Sequence, residues 1–287
     1  MNTNNLFTAS DSVQSSRILY TPSAFAKSSL LHLQEVGTLT AVKPHTSGRE
    51  KLRSFLCFLV KSGAGRLSYE GKWYELKPGD VVFIDCGKPY SHCTEKDLWS
   101  LQWCHFYGPS MPAVYAKYRE RGGMPVLHPE CMEAYAGLMT ELYTLAESSD
   151  YIRDMRINEK LSVLLTLLME FSWHQGVRAN APKRMEVVHI KAFLDEHYAE
   201  KLSLETVARQ FFVDKYYLAR LFKAQYGVTL VTYLQQVRIT HAKRLLRFTG
   251  KSVEEICLEC GFGELSYFSR VFKKLEGVSP SEYRSMW

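Results

Sequence analysis

Two stretches near the C-terminal end, SLETVARQFFVDKYYLARLFKAQYGVT at residues 203–229 and SVEEICLECGFGELSYFSRVFKKLEGVS at residues 252–279, repeat one pattern. Their first residues are 49 positions apart, whereas Arg220 and Arg270 are 50 positions apart. The change of spacing indicates that the second copy carries one additional residue between two short helices. Because self-similarity at a fixed spacing marks a repeated structural unit, the pattern predicts two units, each a helix, a turn and a second helix.

The second helix of each unit is expected to be amphipathic, with an apolar face turned inward and a polar face exposed. The exposed faces carry the candidate DNA-contacting residues, which are Lys215, Tyr216, Arg220 and Lys223 in the first unit and Ser266, Tyr267, Arg270 and Lys273 in the second. A helical face of this composition suits a DNA major groove.

Different roles follow from the chemistry of these side chains. Arg220 and Arg270 are the candidates for base reading, because a guanidinium can form a bidentate hydrogen bond to guanine. The lysines suit phosphate contacts better than base contacts. Tyr216 and Tyr267 either touch bases or pack against the protein. Ser252 and the glutamate three residues later predict a capping box, which would start the first helix of the second unit.

The segment between the two copies, Leu230 to Phe248, lacks glycine and proline and has apolar residues at helical spacing. A helix of 19 residues is roughly 28 Å long at about 1.5 Å per residue. Successive major-groove faces on one side of DNA lie about 34 Å apart. One rigid helix can therefore hold two recognition helices about one DNA turn apart.

The first half of the chain has the short runs and turns of a small antiparallel barrel or sandwich. LRSFLCFLV at residues 52–60 predicts a buried strand, and Glu70-Gly71 predicts a hairpin turn between strands at residues 66–69 and 72–76. After Pro109 the pattern becomes helical, and the longest helical stripe lies at residues 153–173.

The overall composition is that of an ordinary globular protein, with 287 residues, 46% hydrophobic and 23% charged. No apolar run reaches the roughly 18 residues needed to span a bilayer, and the first residues do not have the pattern of a signal peptide. Seven cysteines, an odd number, fit a reduced cytoplasmic protein better than a disulfide framework. A formal charge of +6 permits a polyanionic partner.

The C-terminal third resembles the DNA-binding domain of the AraC/XylS family of bacterial transcription regulators. The resemblance covers residues 187–283 and is most specific in ICLECGFGELSYFSRVFKKLEGVSPSEYR at residues 256–284. The N-terminal half is similar to the cupin-like effector domain of the same family in GAGRL, KPGDVVFI and the spacing of Trp99, Trp103, Phe106 and Gly108.

The resulting prediction is an α+β fold. It consists of an N-terminal cupin-like antiparallel β-barrel with C-terminal helices, then an all-α domain of two helix-turn-helix motifs joined by a long helix. We expect an effector-binding and dimerisation domain at residues 1–175, a linker at 176–184, and a double helix-turn-helix DNA-binding domain at 185–287.

The resemblance implies a sequence-specific transcription regulator, more often an activator than a repressor, that contacts RNA polymerase. The expected partners are double-stranded promoter DNA, RNA polymerase, a small-molecule effector and a second copy of the chain. No cofactor and no membrane are expected. The protein would be cytoplasmic and would associate with the nucleoid when it is bound to DNA.

The candidate effector site is Arg49, His92, Trp99 and Trp103. Period-two alternation places the two tryptophans on one strand face, where they would offer stacking surfaces inside a barrel or serve as core aromatics. Arg49 and His92 could hydrogen-bond ligand hydroxyls at the pocket mouth. We expect an uncharged or weakly charged polar ligand, most simply a sugar or glycoside.

The candidate dimerisation surface is the leucine stripe of the helix at residues 153–173, namely Leu161, Leu164, Leu165 and Leu168. Two other classes of protein stay open. One is a metal-dependent cupin enzyme fused to a DNA-binding tail. The other is an effector-independent regulator whose N-terminal domain only dimerises.

Neither a metal site nor an active site is predicted. A metal-binding cupin needs a tight His-x-His cluster, which His45, His92 and His105 do not form. Cys257 and Cys260 have CxxC spacing, but no second Cys/His pair at zinc-finger spacing follows, so packing is the favoured role. Without a plausible nucleophile and base pair, no catalytic residue is assigned and an enzyme is not expected.

Overall fold

The computed structural model describes the backbone of residues 12–178 and 181–287, and the side chains of 12–172 and 187–287. The chain divides into two compact units, Met1–Gly176 and Val177–Trp287, here called the N-terminal and C-terminal units. Together they show the α+β composition that the sequence predicts, with antiparallel sheets in the first unit and helices in the second.

Strands dominate the first part of the N-terminal unit. They are β1 (Val13–Leu19), β2 (His32–Ala41), β3 (His45–Arg49), β4 (Phe55–Ser62), β5 (Gly65–Tyr69), β6 (Lys72–Leu76), β7 (Val81–Asp85), β8 (Tyr90–Thr94), β9 (Ser100–Tyr107) and β10 (Val126–Leu127). The helices are α1 (Ala24–Ser29), α2 (Met111–Glu120), α3 (Met132–Glu147) and α4 (Arg153–Arg178).

The strands form two antiparallel sheets with the orders β1-β2-β9-β4-β7-β10 and β3-β8-β5-β6. The six-stranded sheet has a core on each of its faces, which explains the continuous apolar run of β4. Phe55, Cys57 and Leu59 pack with the helices, whereas Leu56 and Phe58 pack between the two sheets. A strand that is buried on both faces loses the alternation of a half-exposed strand.

The predicted hairpin is present and has the expected turn. β5 and β6 pair antiparallel from Gly65 opposite Leu76 to Tyr69 opposite Lys72. The two turn residues between them have positive φ, 51° at Glu70 and 73° at Gly71. Two successive positive φ angles are the signature of a type I′ turn, whose twist matches that of the paired strands.

The prediction of a dimerisation stripe on α4 is wrong. Leu161, Leu164, Leu165 and Leu168 are all buried within one chain. They belong to the core between α3, α4 and the outer face of the six-stranded sheet. An apolar sheet face has to be covered for the domain to fold, so α4 meets this requirement before any partner chain does.

Helices alone form the C-terminal unit within the described residues. They are α5 (Ala181–Glu196), α6 (Leu204–Gln210), α7 (Lys215–Tyr226), α8 (Leu230–Phe248), α9 (Val253–Glu259), α10 (Leu265–Glu276) and α11 (Pro280–Ser285). The pairs α6–α7 and α9–α10 are the two predicted helix-turn-helix units. The predicted bounds of the long helix, 230 and 248, are confirmed by α8. The capping box at Ser252 is also confirmed, with Glu255 as its partner.

The predicted linker at residues 176–184 overlaps helical structure at both of its ends. α4 continues to Arg178 and α5 begins at Ala181, whereas residues 179 and 180 lie outside the described residues. The three predicted ranges, 1–175, 176–184 and 185–287, therefore stay a prediction. Across the described ranges, no helix has the length and apolar character needed to cross a membrane.

Candidate functional site

The recognition helices α7 and α10 are delimited by local sequence signals. The Asp214 carboxylate accepts a hydrogen bond from the backbone N–H of Tyr217 at 2.8 Å, which caps the start of α7. Both helices end at a glycine in the left-handed conformation, Gly227 with φ 73° and Gly277 with φ 81°. Side chains with a β-carbon rarely adopt this backbone geometry, so the two glycines stop the helices at corresponding positions.

The structure exposes the polar face that the sequence predicts. Seven of the eight candidate DNA-contacting side chains are exposed, and Lys215 is partly buried. Lys215 forms an ion pair with Glu205 at 3.0 Å, so its charge is already compensated. Arg220 and Arg270 are in no ion pair with any described residue. The two arginines are therefore the better placed cations for a nucleic-acid contact.

The two arginines have matching surroundings. The Arg220 guanidinium lies 5.9 Å from the ring of Tyr217, and the Arg270 guanidinium lies 5.9 Å from the ring of Tyr267. Tyr217, rather than the predicted Tyr216, is thus the counterpart of Tyr267. The sequence already indicated this correspondence, because Tyr217 and Tyr267 are 50 positions apart, as Arg220 and Arg270 are. Tyr267 also accepts a hydrogen bond from Gln235 Nε2 at 2.5 Å, which ties α10 to the long helix.

The long helix α8 belongs to both helix-turn-helix cores. Leu230 and Leu234 at its start pack with the first motif, whereas Ile239 and Leu246 pack with the second. A single helix buried at both ends fixes the separation and the orientation of the two recognition helices.

A second connection between the motifs runs through residues 197–202. Arg238 of α8 donates hydrogen bonds to the carbonyl oxygens of Tyr198 and Glu200, each at 2.7 Å. On the other side, Gly261 in the turn between α9 and α10 approaches the segment so closely that a β-carbon there would lie 2.5 Å from the Ala199 carbonyl oxygen. Contacts to the backbone of residues 197–202 therefore connect the two motifs, in addition to α8.

The N-terminal unit contains a cavity between its two sheets, here called the inter-sheet cavity. It has a volume of about 70 Å³ and is open to solvent at its mouth. The lining residues are Arg17, Glu35, Leu39, Ser47, Arg49, Leu56, Phe58, Tyr90, His92, Leu101, Trp103 and His105. Aromatic and aliphatic walls with a few convergent polar groups are typical of a small-molecule site.

Three of the four predicted effector residues, Arg49, His92 and Trp103, line this cavity, whereas Trp99 does not. Trp99 is fully buried, with 0% of its surface exposed, and its indole packs on Gly65 of β5. It sits behind His92, with 5.6 Å between the ring centroids. It lies just before β9 in the same inter-sheet core as Trp103, as strand alternation predicts, but beside the cavity rather than in its lining.

Sequence reasoning missed five polar lining residues, Arg17, Glu35, Ser47, Tyr90 and His105. Alternation along β9 does place His105 on the Trp103 face, so this signal was available. Arg17 and Glu35 come from β1 and β2 and pair with each other at 3.3 Å. Which strands form a closed cavity depends on the sheet order, which local patterns do not contain.

Burial controls the ionisation of the polar groups in the cavity. Together with the smaller effect of the positive charge of Arg49, burial lowers the pKa values of His92 and His105 to about 4. Burial also raises the pKa of Glu35, while Arg17 and Arg49 oppose that change. Both imidazoles are therefore neutral at pH 7 and can exchange hydrogen bonds with hydroxyl groups.

The arrangement of the described residues does not support metal binding or cysteine chemistry. Among the described residues, no group of three or more His, Cys, Asp or Glu side chains is arranged to hold a metal ion. Cys257 and Cys260 are both buried in the core of the second motif, and burial raises the pKa of Cys260 to about 12. A buried thiol with a high pKa is a poor nucleophile.

Comparisons with known proteins match both units. Residues 43–165 match the family model described as AraC-like ligand binding domain, and residues 207–286 match the one described as helix-turn-helix domain. The HTH-type transcriptional activator RhaS of Salmonella schwarzengrund is 37% identical over 236 residues, which cover 79% of this chain and 83% of that protein.

The MmsAB operon regulatory protein of Pseudomonas aeruginosa is 25% identical over 261 residues, covering 88% of this chain and 82% of that protein. Among solved structures, the C-terminal domain of the response regulator AraT from Geobacillus stearothermophilus is 33% identical, with a TM-score of 0.35. That match covers 36% of this chain and 85% of the AraT domain.

Proposed function

We propose two binding functions for this chain, which belongs to the AraC/XylS family of DNA-binding transcription regulators. A small polar effector binds in the inter-sheet cavity, and the double helix-turn-helix binds promoter DNA. The observation that carries the proposal is the pair of matching recognition helices held by one helix, α8. This geometry lets one chain contact two successive major-groove segments.

For the DNA-binding surface, we propose that Arg220 and Arg270 read bases and that Lys223 and Lys273 contact phosphates. The two arginines are exposed, occupy equivalent positions and are held by no carboxylate among the described residues. Lys215 is already paired with Glu205, so its contribution to DNA binding should be smaller. This ranking supports two direct base contacts, one from each motif.

Arg270→Ala is expected to weaken binding of the full chain to its specific DNA site by about 1–3 kcal/mol and to relax preference at one base pair. The site is first obtained by selection from a random DNA pool, and affinity is then measured by fluorescence anisotropy. Arg156→Ala, which removes an exposed arginine from the N-terminal unit, serves as the charge-matched control. Equal weakening on specific and random DNA would show that Arg270 contacts a phosphate instead.

For the effector, we propose a sugar-like molecule whose ring stacks on Trp103. The indole is partly exposed at the cavity, and the ring of His105 lies 5.9 Å from it. Neutral histidines, Tyr90 and Ser47 supply hydrogen-bonding groups around this stacking face. Since the RhaS relative is named an activator, we further propose that effector binding favours transcription activation.

Trp103→Ala is expected to abolish effector-dependent quenching of tryptophan fluorescence and the accompanying rise in melting temperature, while DNA binding persists. The matched control is Trp73→Ala, because Trp73 is 60% exposed and does not line the cavity. Normal effector-dependent regulation by the Trp103→Ala protein in cells would contradict the proposed site. That result would show that the effector binds at a site that does not include Trp103.

We also propose that the chain works as a homodimer, contacts RNA polymerase and has no enzymatic activity. The proteins to which it is similar are named as regulators, which supports the last point. The dimer would use a surface other than the four buried leucines of α4. Light scattering of the purified chain measures the dimer mass directly.

A further inference from the structure

The inter-sheet cavity has an unbalanced charge. Its lining includes two cations, Arg17 and Arg49, and one carboxylate, Glu35. Arg17 and Glu35 neutralise each other through their ion pair at 3.3 Å. With both lining histidines neutral at pH 7, one positive charge, that of Arg49, is left over.

Arg49 stands at the end of β3, opposite Tyr90 of β8. No carboxylate among the described residues lies within ion-pair distance of its guanidinium. Arg49 nevertheless lines the inter-sheet cavity, together with Glu35, His92 and His105. An arginine in this position has donors available for an incoming anion.

A second polar group in the cavity is also unsatisfied. The Nδ1 atom of His92 is buried and has no hydrogen-bond partner. The His92 ring lies between Phe58 and Tyr90, with centroid distances of 5.4 and 6.4 Å. Buried polar atoms are normally hydrogen-bonded, so the unpaired Nδ1 atom indicates that a bound ligand supplies its hydrogen-bond partner.

We propose that the effector is a polyhydroxylated carboxylic acid, a sugar acid, whose carboxylate binds Arg49 while its apolar face packs on Trp103. This inference rests on the proposed function and narrows it from sugar-like molecules to acidic ones. It also revises the sequence-based expectation of an uncharged or weakly charged ligand. His92 would accept or donate one hydrogen bond to a ligand hydroxyl.

The charge balance selects a carboxylate over other candidates. A neutral sugar would have to displace water from the Arg49 guanidinium without compensating its charge, which is unfavourable. A phosphate ester carries close to two negative charges and would leave an excess beside Glu35. A single carboxylate balances the single surplus charge and matches the planar donor geometry of a guanidinium.

The test uses the full chain and matched sets of ligands: glucose, glucuronate and gluconate, and galactose, galacturonate and galactonate. Binding is measured by isothermal titration calorimetry at 150 mM salt. We expect at least one acid to bind at least 10-fold more tightly than its neutral counterpart. Arg49→Gln should reduce the affinity for that acid about 10- to 100-fold, and Arg49→Lys should reduce it less.

Two controls accompany the measurement. Arg53→Gln removes a guanidinium that stacks on Tyr107 outside the inter-sheet cavity, so it should leave the affinity for the acid unchanged. The melting temperatures of the ligand-free variants show that folding is intact, which is expected because Arg49 is exposed at a strand end.

The outcomes separate this inference from the proposed function. Tighter binding of a neutral sugar, insensitive to Arg49→Gln but lost in Trp103→Ala, overturns the acidic effector and leaves the effector site in place. Failure of every acid in the two sets also overturns it. If, in addition, the Trp103→Ala protein regulates transcription normally, the proposed effector site fails as well.

Discussion

Leu164→Asp is expected to unfold the N-terminal unit rather than produce a folded monomer. Leu164 has 0% of its surface exposed and lies in the core between α4 and the six-stranded sheet. The substitution removes a buried aliphatic side chain and places a carboxylate in an apolar environment. The expected loss is at least about 4 kcal/mol, a large fraction of the stability of a typical domain.

The control for this prediction is the neighbouring residue on the same helix. Val163 is 41% exposed, so Val163→Asp introduces the same charge at almost the same position without entering the core. Near-ultraviolet circular dichroism and light scattering of both variants distinguish the cases. A folded, monomeric Leu164→Asp protein would show that the leucine stripe is a subunit interface after all.

Gly261→Ala is expected to destabilise the C-terminal unit by about 2–4 kcal/mol and to weaken specific DNA binding. The residue has φ 76°, and an added β-carbon would lie 2.5 Å from the carbonyl oxygen of Ala199. Both the backbone strain and the collision act against alanine. Because the displaced segment also accepts the hydrogen bonds of Arg238, the two motifs would lose part of their mutual support.

The first motif offers a matched comparison. Phe212 is the counterpart of Gly261 in the first motif, because the backbone hydrogen bonds match. The N–H of Phe212 donates to the carbonyl oxygen of Arg209, and the N–H of Gly261 donates to the carbonyl oxygen of Leu258. Phe212 has φ 53° and is 96% exposed. Phe212→Gly should therefore leave stability unchanged or raise it by up to about 1 kcal/mol, because relief of left-handed strain offsets the flexibility of glycine. Chemical denaturation followed by far-ultraviolet circular dichroism measures both changes, and an equal loss in both variants would contradict the argument.

Local and periodic information in the sequence was enough for the C-terminal unit. The 49- and 50-residue spacings predict the two motifs, and the absence of glycine and proline between residues 230 and 248 predicts α8. The exposed positions of Arg220 and Arg270 follow from the helical period. Helix starts, helix ends and faces depend on residues a few positions apart, so they can be read along the chain.

The tertiary structure decided the surroundings of these elements. The sequence of α4 shows an apolar stripe but not what covers it, and only the packed sheet assigns Leu164 to the core. Strand alternation places Trp99 and Trp103 on one face, and both belong to the core between the two sheets, but only the folded chain shows that Trp103 lines the cavity and Trp99 does not.

The charge of the inter-sheet cavity is also a property of the tertiary structure alone. Arg17, Glu35 and Arg49 come from three strands in two different sheets, and no local spacing relates them. The sequence by itself therefore determined the family, the double motif and the exposed polar faces of its helices, all of which rest on short-range periodicity. The partners of each buried face and the net charge of the cavity depend on long-range strand pairing, so only the folded chain decides them.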